Sequence, residues 1–274
     1  MRPDSNYGGR PARSDGAGLD SELLEKFKAL SYAAYGIHFH GAKVDILKMK
    51  LIKMASVHGL DLRDFYDRLA AGMHDAVNIF LKEITVGHTF FFREDAHFKR
   101  LTQDIQVRSL RDPLIWCAAS STGEEPYSIV ISLLESGLRD FRVLASDLNR
   151  DSLKAMHEGV YHVNQFQNTD DRIRRAYFSR AGEFSLRVRP ELRRYIAIKR
   201  LNLHEPIEFE TRFDYIFCRN VMIYFDEPGR SKVLRTLERN LSPCGLLFVG
   251  HSEALLPVED TLRKEGPAIY RKAP

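Results

Sequence analysis

A chain of 274 residues has material for one large domain or two modest ones around a sizeable core. Its 44% apolar and 28% charged residues are those of an ordinary soluble globular protein, and a formal charge of +4 is too small to demand nucleic acid or a membrane surface. No apolar stretch is long enough to cross a bilayer and the first residues lack a signal core. The odd, unpatterned cysteines Cys117, Cys218 and Cys244 read as reduced thiols, so neither membrane insertion nor secretion is expected and the expected compartment is the cytoplasm.

Residues 1–18 are rich in Gly, Arg, Pro, Ser and Asp, which predicts a disordered leader. Residues 19–105 carry helical patterning throughout and predict an all-helical N-terminal domain. Asp20 or Ser21 caps a helix with Leu23, Leu24, Phe27, Leu30 and Tyr35 on its apolar stripe. A second helix spans Ala42 to Val57 and is stopped by His58-Gly59; Leu60–Leu69, Met73–Leu81 and Ala96–Leu101 continue the pattern.

After Asp112 strands alternate with helices. Strands are expected at Leu114–Ala118, Arg142–Ser146, Tyr195–Lys199, Phe213–Cys218, Leu246–Gly250 and Ile269–Arg271, and helices at Glu124–Glu135, Asp151–Glu158 and Glu227–Asn240. The predicted fold of residues 106–274 is therefore α/β, a doubly wound, mostly parallel sheet. A charged segment, about 159–194, interrupts it; there Phe184–Val188 alternates after Ala181-Gly182 like a small hairpin inserted at the sheet's edge.

Ligands of such sheets lie at the carboxyl ends of the strands, where strand order reverses. The first strand ends in Ala119-Ser120-Ser121-Thr122-Gly123-Glu124-Glu125, a small-residue turn that lets a ligand approach the backbone. It lacks G-x-G-x-x-G and a P-loop lysine and ends in two acids, which argues for a cationic ligand rather than a phosphate. S-adenosylmethionine, with its ammonium, sulfonium and ribose diol, meets that demand. Asp147, about 20 residues on at the second strand end, stands where a carboxylate accepts from a ribose, or else caps the next helix in competition with Asn149 and Asp151. At the third strand end Asn202 faces an adenine edge with Leu203 on its face, or is a turn asparagine. At the fourth, Arg219 and Asn220 emerge directly from an apolar strand, a pattern that calls for a polar site. Tyr224 reads equally as a core aromatic or a functional group, and Arg93, after Phe90-Phe91-Phe92, as a surface arginine or one carried to the cleft.

Together these pieces resemble the CheR family of S-adenosylmethionine-dependent, chemoreceptor protein-glutamate O-methyltransferases. Thr89–Glu94 is similar to the family's T-x-F-F-R-[ED], Ala119–Ser128 to its S-T-G-E-E-P-Y-S loop, and Ala145–Leu148 to A-[ST]-D-I. Asp214–Phe225 resembles F-D-x-I-F-C-R-N-V-[LM]-I-Y-F and Gly250–Glu253 matches G-H-S-E. The resemblance covers Leu19 to the C-terminus and implies cofactor contacts from Thr89, Arg93, Glu125, Asp147, Asn202, Leu203, Arg219 and Asn220. Glu124 is the alternative acid to Glu125. Arg93 and Tyr224 are implied nearest the transferred methyl, with S-adenosyl-L-homocysteine as product; His251 and Glu253 are expected to brace a loop, and no metal is implied.

The implied substrate is a glutamate in the cytoplasmic domain of a chemoreceptor or related signalling protein. Two departures stand out. Gly87 replaces a common asparagine, and Met54 and Ser56 stand among Lys48, Lys50 and Lys53 where the family's basic docking helix often has arginines. The inserted hairpin resembles a receptor-tethering subdomain with a short loop at Arg180–Glu183. A catalytically weak S-adenosylmethionine-binding module acting through a protein partner is the competing reading. A nucleic-acid methyltransferase is disfavoured by the lack of a D/N-P-P-Y-type element and of an aromatic-interleaved basic patch, and a dehydrogenase by the missing glycines.

Overall fold

The structure, a computed structural model, describes residues 18–85, 89–253 and 261–274. The expected leader, apart from Gly18, and Gly87 lie outside the described residues. The chain divides into two units, one of residues 18–31 with 39–84 and one of residues 32–38 with 85–274.

The first unit is helical. Helix α1 (Ser21–Tyr35, its last turn grouped with the second unit) is followed by α2 (Ala42–His58), α3 (Leu62–Ala70) and α4 (His74–Ile84). Asp20 caps α1, its carboxylate accepting the Leu23 N–H at 2.8 Å, and Asp61 caps α3 by accepting from Arg63 and Asp64. Gly59, at φ 62°, closes α2 in the left-handed conformation that a side chain resists. Leu47, Leu51 and Met54 recur at helical spacing and are buried, and Phe27 sits among Phe65, Tyr66 and Phe80, with ring centroids 5.3–6.4 Å apart. Met54 is therefore a core residue rather than part of a docking face. Lys50 donates to the Ile84 carbonyl at 3.2 Å, and burial lowers its pKa.

In the second unit α5 (Ala96–Arg108) precedes β1 (Leu114–Ala118), α6 (Glu124–Glu135), β2 (Arg142–Asp147) and α7 (Arg150–Glu158). An insert holds β3 (Val160–His162), α8 (Asp171–Tyr177), β4 (Phe178–Arg180) and β5 (Ser185–Val188). Then come β6 (Ile196–Arg200), β7 (Phe213–Cys218), α9 (Glu227–Asn240), β8 (Leu241–Val249), β9 (Leu262–Gly266) and β10 (Ile269–Lys272). The seven-stranded sheet runs β6-β2-β1-β7-β8-β10-β9, parallel from β6 to β8 and antiparallel across β8, β10 and β9.

Strand alternation builds a core on each face of this sheet. Ile115, Cys117, Tyr215, Phe217, Leu246 and Phe248 face one cluster with residues of α5, α6 and α7. Trp116, Ala118, Ile216, Cys218, Leu247 and Val249 face the other, closed by Val233 and Leu237 of α9. Phe98, Leu101 and Ile105 of α5 belong to the first of these clusters, so that helix, read with the helical segment from its periodicity, packs in the second unit.

Three elements differ from the pattern-based expectation. Strand β8 starts at Leu241, which pairs with Phe213; Ser242–Gly245 then bulge, with Cys244 at φ 59°, before the ladder resumes at Leu246. Strand β9 is an exposed, charged edge strand with no apolar alternation to announce it. The insert is a separate antiparallel sheet, β3-β5-β4, rather than a lone hairpin on the main edge. Phe91 anchors it, stacked on Phe166 at 4.6 Å and edge-on to Tyr161 and Phe178 at 4.9 and 5.1 Å.

Candidate active site at the carboxyl edge of the sheet

From β1 the chain steps to β2 and β6 on one side, then returns to β7 and β8 on the other. The reversal therefore falls between β1 and β7, and the loops that leave their carboxyl ends flank a crevice. The loop after β1 holds Ala119, Ser121 and Gly123 at positive φ (65°, 49° and 101°). It is tied to β2 by Ser120 N–H to the Ser146 carbonyl and by Ser121 N–H to Asp147 Oδ2, both 2.8 Å. Only glycine fits at position 123: a Cβ would lie 2.4 Å from Met156 Cγ and 2.8 Å from the Tyr161 hydroxyl.

The two acids of this loop go separate ways. Glu124 is fully buried, accepts from the Thr122 hydroxyl at 2.7 Å and from the Gln165 amide, and has its pKa pushed up by burial. It is a brace. Glu125 is partly exposed; its Oε1 accepts from the Cys117 thiol at 2.9 Å and its Oε2 from Arg219 Nη1 at 2.8 Å.

The Arg219 side chain is 1% exposed; its two terminal nitrogens are engaged by the protein, while its buried Nε has no hydrogen-bond partner. Nη2 donates to the Arg93 carbonyl at 2.6 Å and lies 3.1 Å from Glu94 Oε2, while the guanidinium sits over the Phe98 ring at 5.7 Å. This side chain ties two loops together and fixes Glu125. One guanidinium between two carboxylates leaves one negative charge in excess, which suits a cationic ligand.

Burial works against the Glu94 charge, but Arg219 and the His251 N–H outweigh it and hold its pKa below the usual carboxylate range. His97, fully buried beside it, is pushed down to about 4 by burial and by Arg219, and is neutral at physiological pH.

Arg93 itself is half-exposed between Phe92 and Glu94, both in the left-handed region (φ 57° and 56°). Such conformations persist when neighbours over-determine them. Here Phe91 N–H donates to the Gln165 carbonyl, Phe92 N–H donates to Ser128 Oγ, and the Arg93 carbonyl is held by Arg219. The Arg93 guanidinium lies 5.9 Å from the Phe90 ring centroid. Thr89, next along the chain, is partly exposed and irregular.

Asp147 accepts the Ser121 N–H on Oδ2 and the Asn149 N–H on Oδ1, both at 2.8 Å. Burial raises its pKa against the pull of those N–H groups. The helix-cap role falls to Asn149, which accepts from Asp151 and Ser152.

The Asn202 amide is spent locally. Its Nδ2 donates to the Ala34 carbonyl and to Glu205, and its Oδ1 accepts the His204 N–H at 3.1 Å, an Asx turn. Leu203 is buried in the core cluster that holds Trp116. Asn220 stands at φ 58° with its N–H on Glu253 Oε2 at 2.6 Å. Glu253 also accepts the N–H groups of Gly250 and Ile223, and so braces the loops after β7 and β8; burial raises its pKa. Tyr224 is half-exposed between buried Met222 and Phe225 in a short 3-10 turn, so it is not a core aromatic, and its carbonyl accepts the His38 N–H. The roles of Glu94 and His97 were missed from sequence. The i, i+3 spacing of Glu94 and His97 was the available signal.

A doubly wound sheet with a glycine-poor, acid-ended first turn and a carboxylate at the end of its second strand is the arrangement of S-adenosylmethionine-dependent methyltransferases. Residues 87–270 match the family described as CheR methyltransferase, SAM binding domain. The chain is 34% identical over 261 residues to the chemotaxis protein methyltransferase of Escherichia coli (strain K12), covering 92% of this chain and 91% of that one. It is 38% identical over 208 residues to chemotaxis protein methyltransferase 2 of Pseudomonas aeruginosa (71% and 73%), and 31% identical over 272 residues to the chemotaxis protein methyltransferase of Borreliella burgdorferi (93% and 95%). The protein belongs to the CheR methyltransferase family, and its methyl donor is S-adenosylmethionine. Among the described residues no helix is long and apolar enough to cross a membrane.

Proposed function

We propose that the protein methylates glutamate side chains in the cytoplasmic domain of chemoreceptors or receptor-like signalling proteins, giving glutamate methyl esters. The observation that carries this reading is the excess negative charge of Glu125 and Glu94 around Arg219, beside Asp147 and within one loop of Arg93. When bound, S-adenosylmethionine supplies a sulfonium methyl that passes to a carboxylate oxygen, the S–C electron pair remaining on sulfur as S-adenosyl-L-homocysteine.

Glu125 holds the ammonium of the donor and Asp147 its ribose diol. Thr89, Asn220 and the backbone at Asn202 and Leu203 line the remainder, while Arg219 acts through Glu125. A substrate glutamate is already ionised near neutral pH (reference pKa about 4.3), so no residue is needed to take a proton. Arg93 and Tyr224 aim the carboxylate, the planar guanidinium matching it in shape. Rate comes from orientation and from bringing opposite charges together out of water. A concavity on the insert lined by Arg174, Arg175, Arg180, Asp171, Glu183 and Leu186, with Arg174 paired to Asp171, offers a seat of mixed charge and slight basic excess for an extended receptor segment.

The test is base-labile incorporation of labelled methyl into a receptor cytoplasmic domain, with calorimetric titration of S-adenosyl-L-homocysteine alongside. Arg93→Ala should lose transfer by far more than it loses ligand affinity. Equal losses would reject the aiming role, and ligand binding without any incorporation would reject the enzyme reading.

A further inference from the structure

Beside the methyl-transfer site three side chains converge, of which only Glu94, through Arg219, bears on that site. His97 opens α5 and its ring is fully buried. The ring Nε2 lies 3.4 Å from the Pro267 carbonyl, the contact that places the proton on Nε2 and leaves Nδ1 as a bare lone pair. That Nδ1 has no hydrogen-bond partner and lies 3.6 Å from Glu94 Oε2, an oxygen whose one close polar neighbour is the Arg219 guanidinium at 3.1 Å. His251 Nε2 lies 3.9 Å from the same oxygen, and the ligand atoms of all three residues fall within 4.8 Å of one another. Two desolvated lone pairs that face each other repel, and the neutral ring has no second proton to place between them. Arg219, 3.1 Å from the Glu94 oxygen, offsets its charge but leaves the Nδ1 of His97 without an electrophile.

We propose that Glu94, His97 and His251 form a binding site for a divalent transition-metal cation of the zinc type. Two imidazoles and a carboxylate are a ligand set that zinc accepts, and a tetrahedral site with bonds of about 2.0–2.1 Å has edges of about 3.4 Å. The two edges that meet at Glu94, 3.6 and 3.9 Å, need a few tenths of an ångström of closure, and the edge between the two histidines, within 4.8 Å, closes by a turn of the half-exposed His251 side chain. The Pro267 carbonyl behind His97 is the second partner that orients ligating histidines and selects their tautomer. His251 is half-exposed, so the cation has an entry and the fourth position faces solvent.

Arg219 competes for the same Glu94 oxygen at 3.1 Å, and Arg219 also holds Glu125. A dication on Glu94 therefore weakens the tie that fixes the acid facing the methyl donor. Coupling of this kind is reciprocal: the cation lowers affinity for the donor, and the donor lowers affinity for the cation.

The experiment uses untagged full-length protein, freed of metal with a chelator. Titration with Zn²⁺ against a chromophoric chelator should give one equivalent bound, and Co²⁺ should produce the visible absorption of a four-coordinate site. His251→Gln, at a half-exposed position that leaves the core intact, should weaken Zn²⁺ binding at least tenfold and abolish the Co²⁺ band. His97→Gln should do the same if it folds. S-adenosyl-L-homocysteine should bind the Zn²⁺-loaded protein several-fold more weakly than the free protein. Stoichiometric binding that His251→Gln leaves unchanged, or no Co²⁺ band in the parent protein, overturns the site and leaves a bridging water between His97 and Glu94. Unaltered affinity for S-adenosyl-L-homocysteine overturns the coupling. Neither result bears on methyl transfer itself.

Discussion

Replacing Arg219 by methionine keeps the aliphatic packing on Phe98 and removes the charge shared by Glu94 and Glu125. The guanidinium is 1% exposed and the two carboxylate side chains 15% and 16%, so removal strands two largely buried anions near each other. Deleting one partner of a buried ion pair costs about 3–5 kcal/mol. The residual exposure of the acids points to the low end, about 3 kcal/mol, or more than a hundredfold in the unfolding equilibrium. The single tryptophan, Trp116, lies fully buried on β1 and makes fluorescence a reporter for this unit alone. Urea titration should show a lower midpoint at unchanged slope. In a Glu94→Gln background the same substitution should cost less, by about 1–2 kcal/mol, because one stranded charge is already gone. A loss under about 1 kcal/mol, or an equal loss in both backgrounds, would refute the shared-guanidinium account.

Gly123→Ala combines a φ of 101° with a Cβ 2.4 Å from Met156 Cγ and should cost on the order of 3 kcal/mol in the same urea assay. Asp147→Asn removes a charged acceptor and should weaken S-adenosyl-L-homocysteine roughly 10–100-fold by calorimetry. Because burial raises the Asp147 pKa and binding needs the ionised form, parent affinity should decline on acidification at a higher pH than an exposed aspartate allows; the Asn variant should lack that decline.

Asp104 shows the opposite sign. Burial alone would raise its pKa, but hydrogen bonds from Arg271 and the Tyr215 hydroxyl at 2.6 and 2.8 Å hold it below the ordinary value. Its contribution is therefore present above the unfolded aspartate pKa of about 3.9 and lost as pH falls through the lower folded value. Asp104→Asn should be destabilised at neutral pH, and its urea midpoint should fall less steeply than the parent's between pH 5 and about 3.

Much of the second unit was legible residue by residue. Leu114–Ala118 and Phe213–Cys218 are apolar runs cut off by a small-residue turn and by Arg219, and Asp226 with Pro228 opens α9 as a cap and first turn should. The polar edge strand β9 and the three-residue β3 carry too little hydrophobic pattern to be seen. The position of Glu125 and Asp147 at strand ends was readable because doubly wound sheets put their ligands there. What Arg219 does was not, since its partners Glu125 and Arg93 lie 94 and 126 residues away along the chain.

Periodicity and local turn chemistry alone determined the alternation of strands and helices, the glycine at the turn, and the acids at the sheet's edge, because each depends on neighbours a few residues apart. Tertiary packing decided the rest: which core α5 joins, which of two adjacent glutamates is buried as a brace, and which protein groups Arg219 and Asn202 bond. Hydrogen-bonding capacity is consumed by whichever groups the fold brings nearest, and sequence distance carries no record of that.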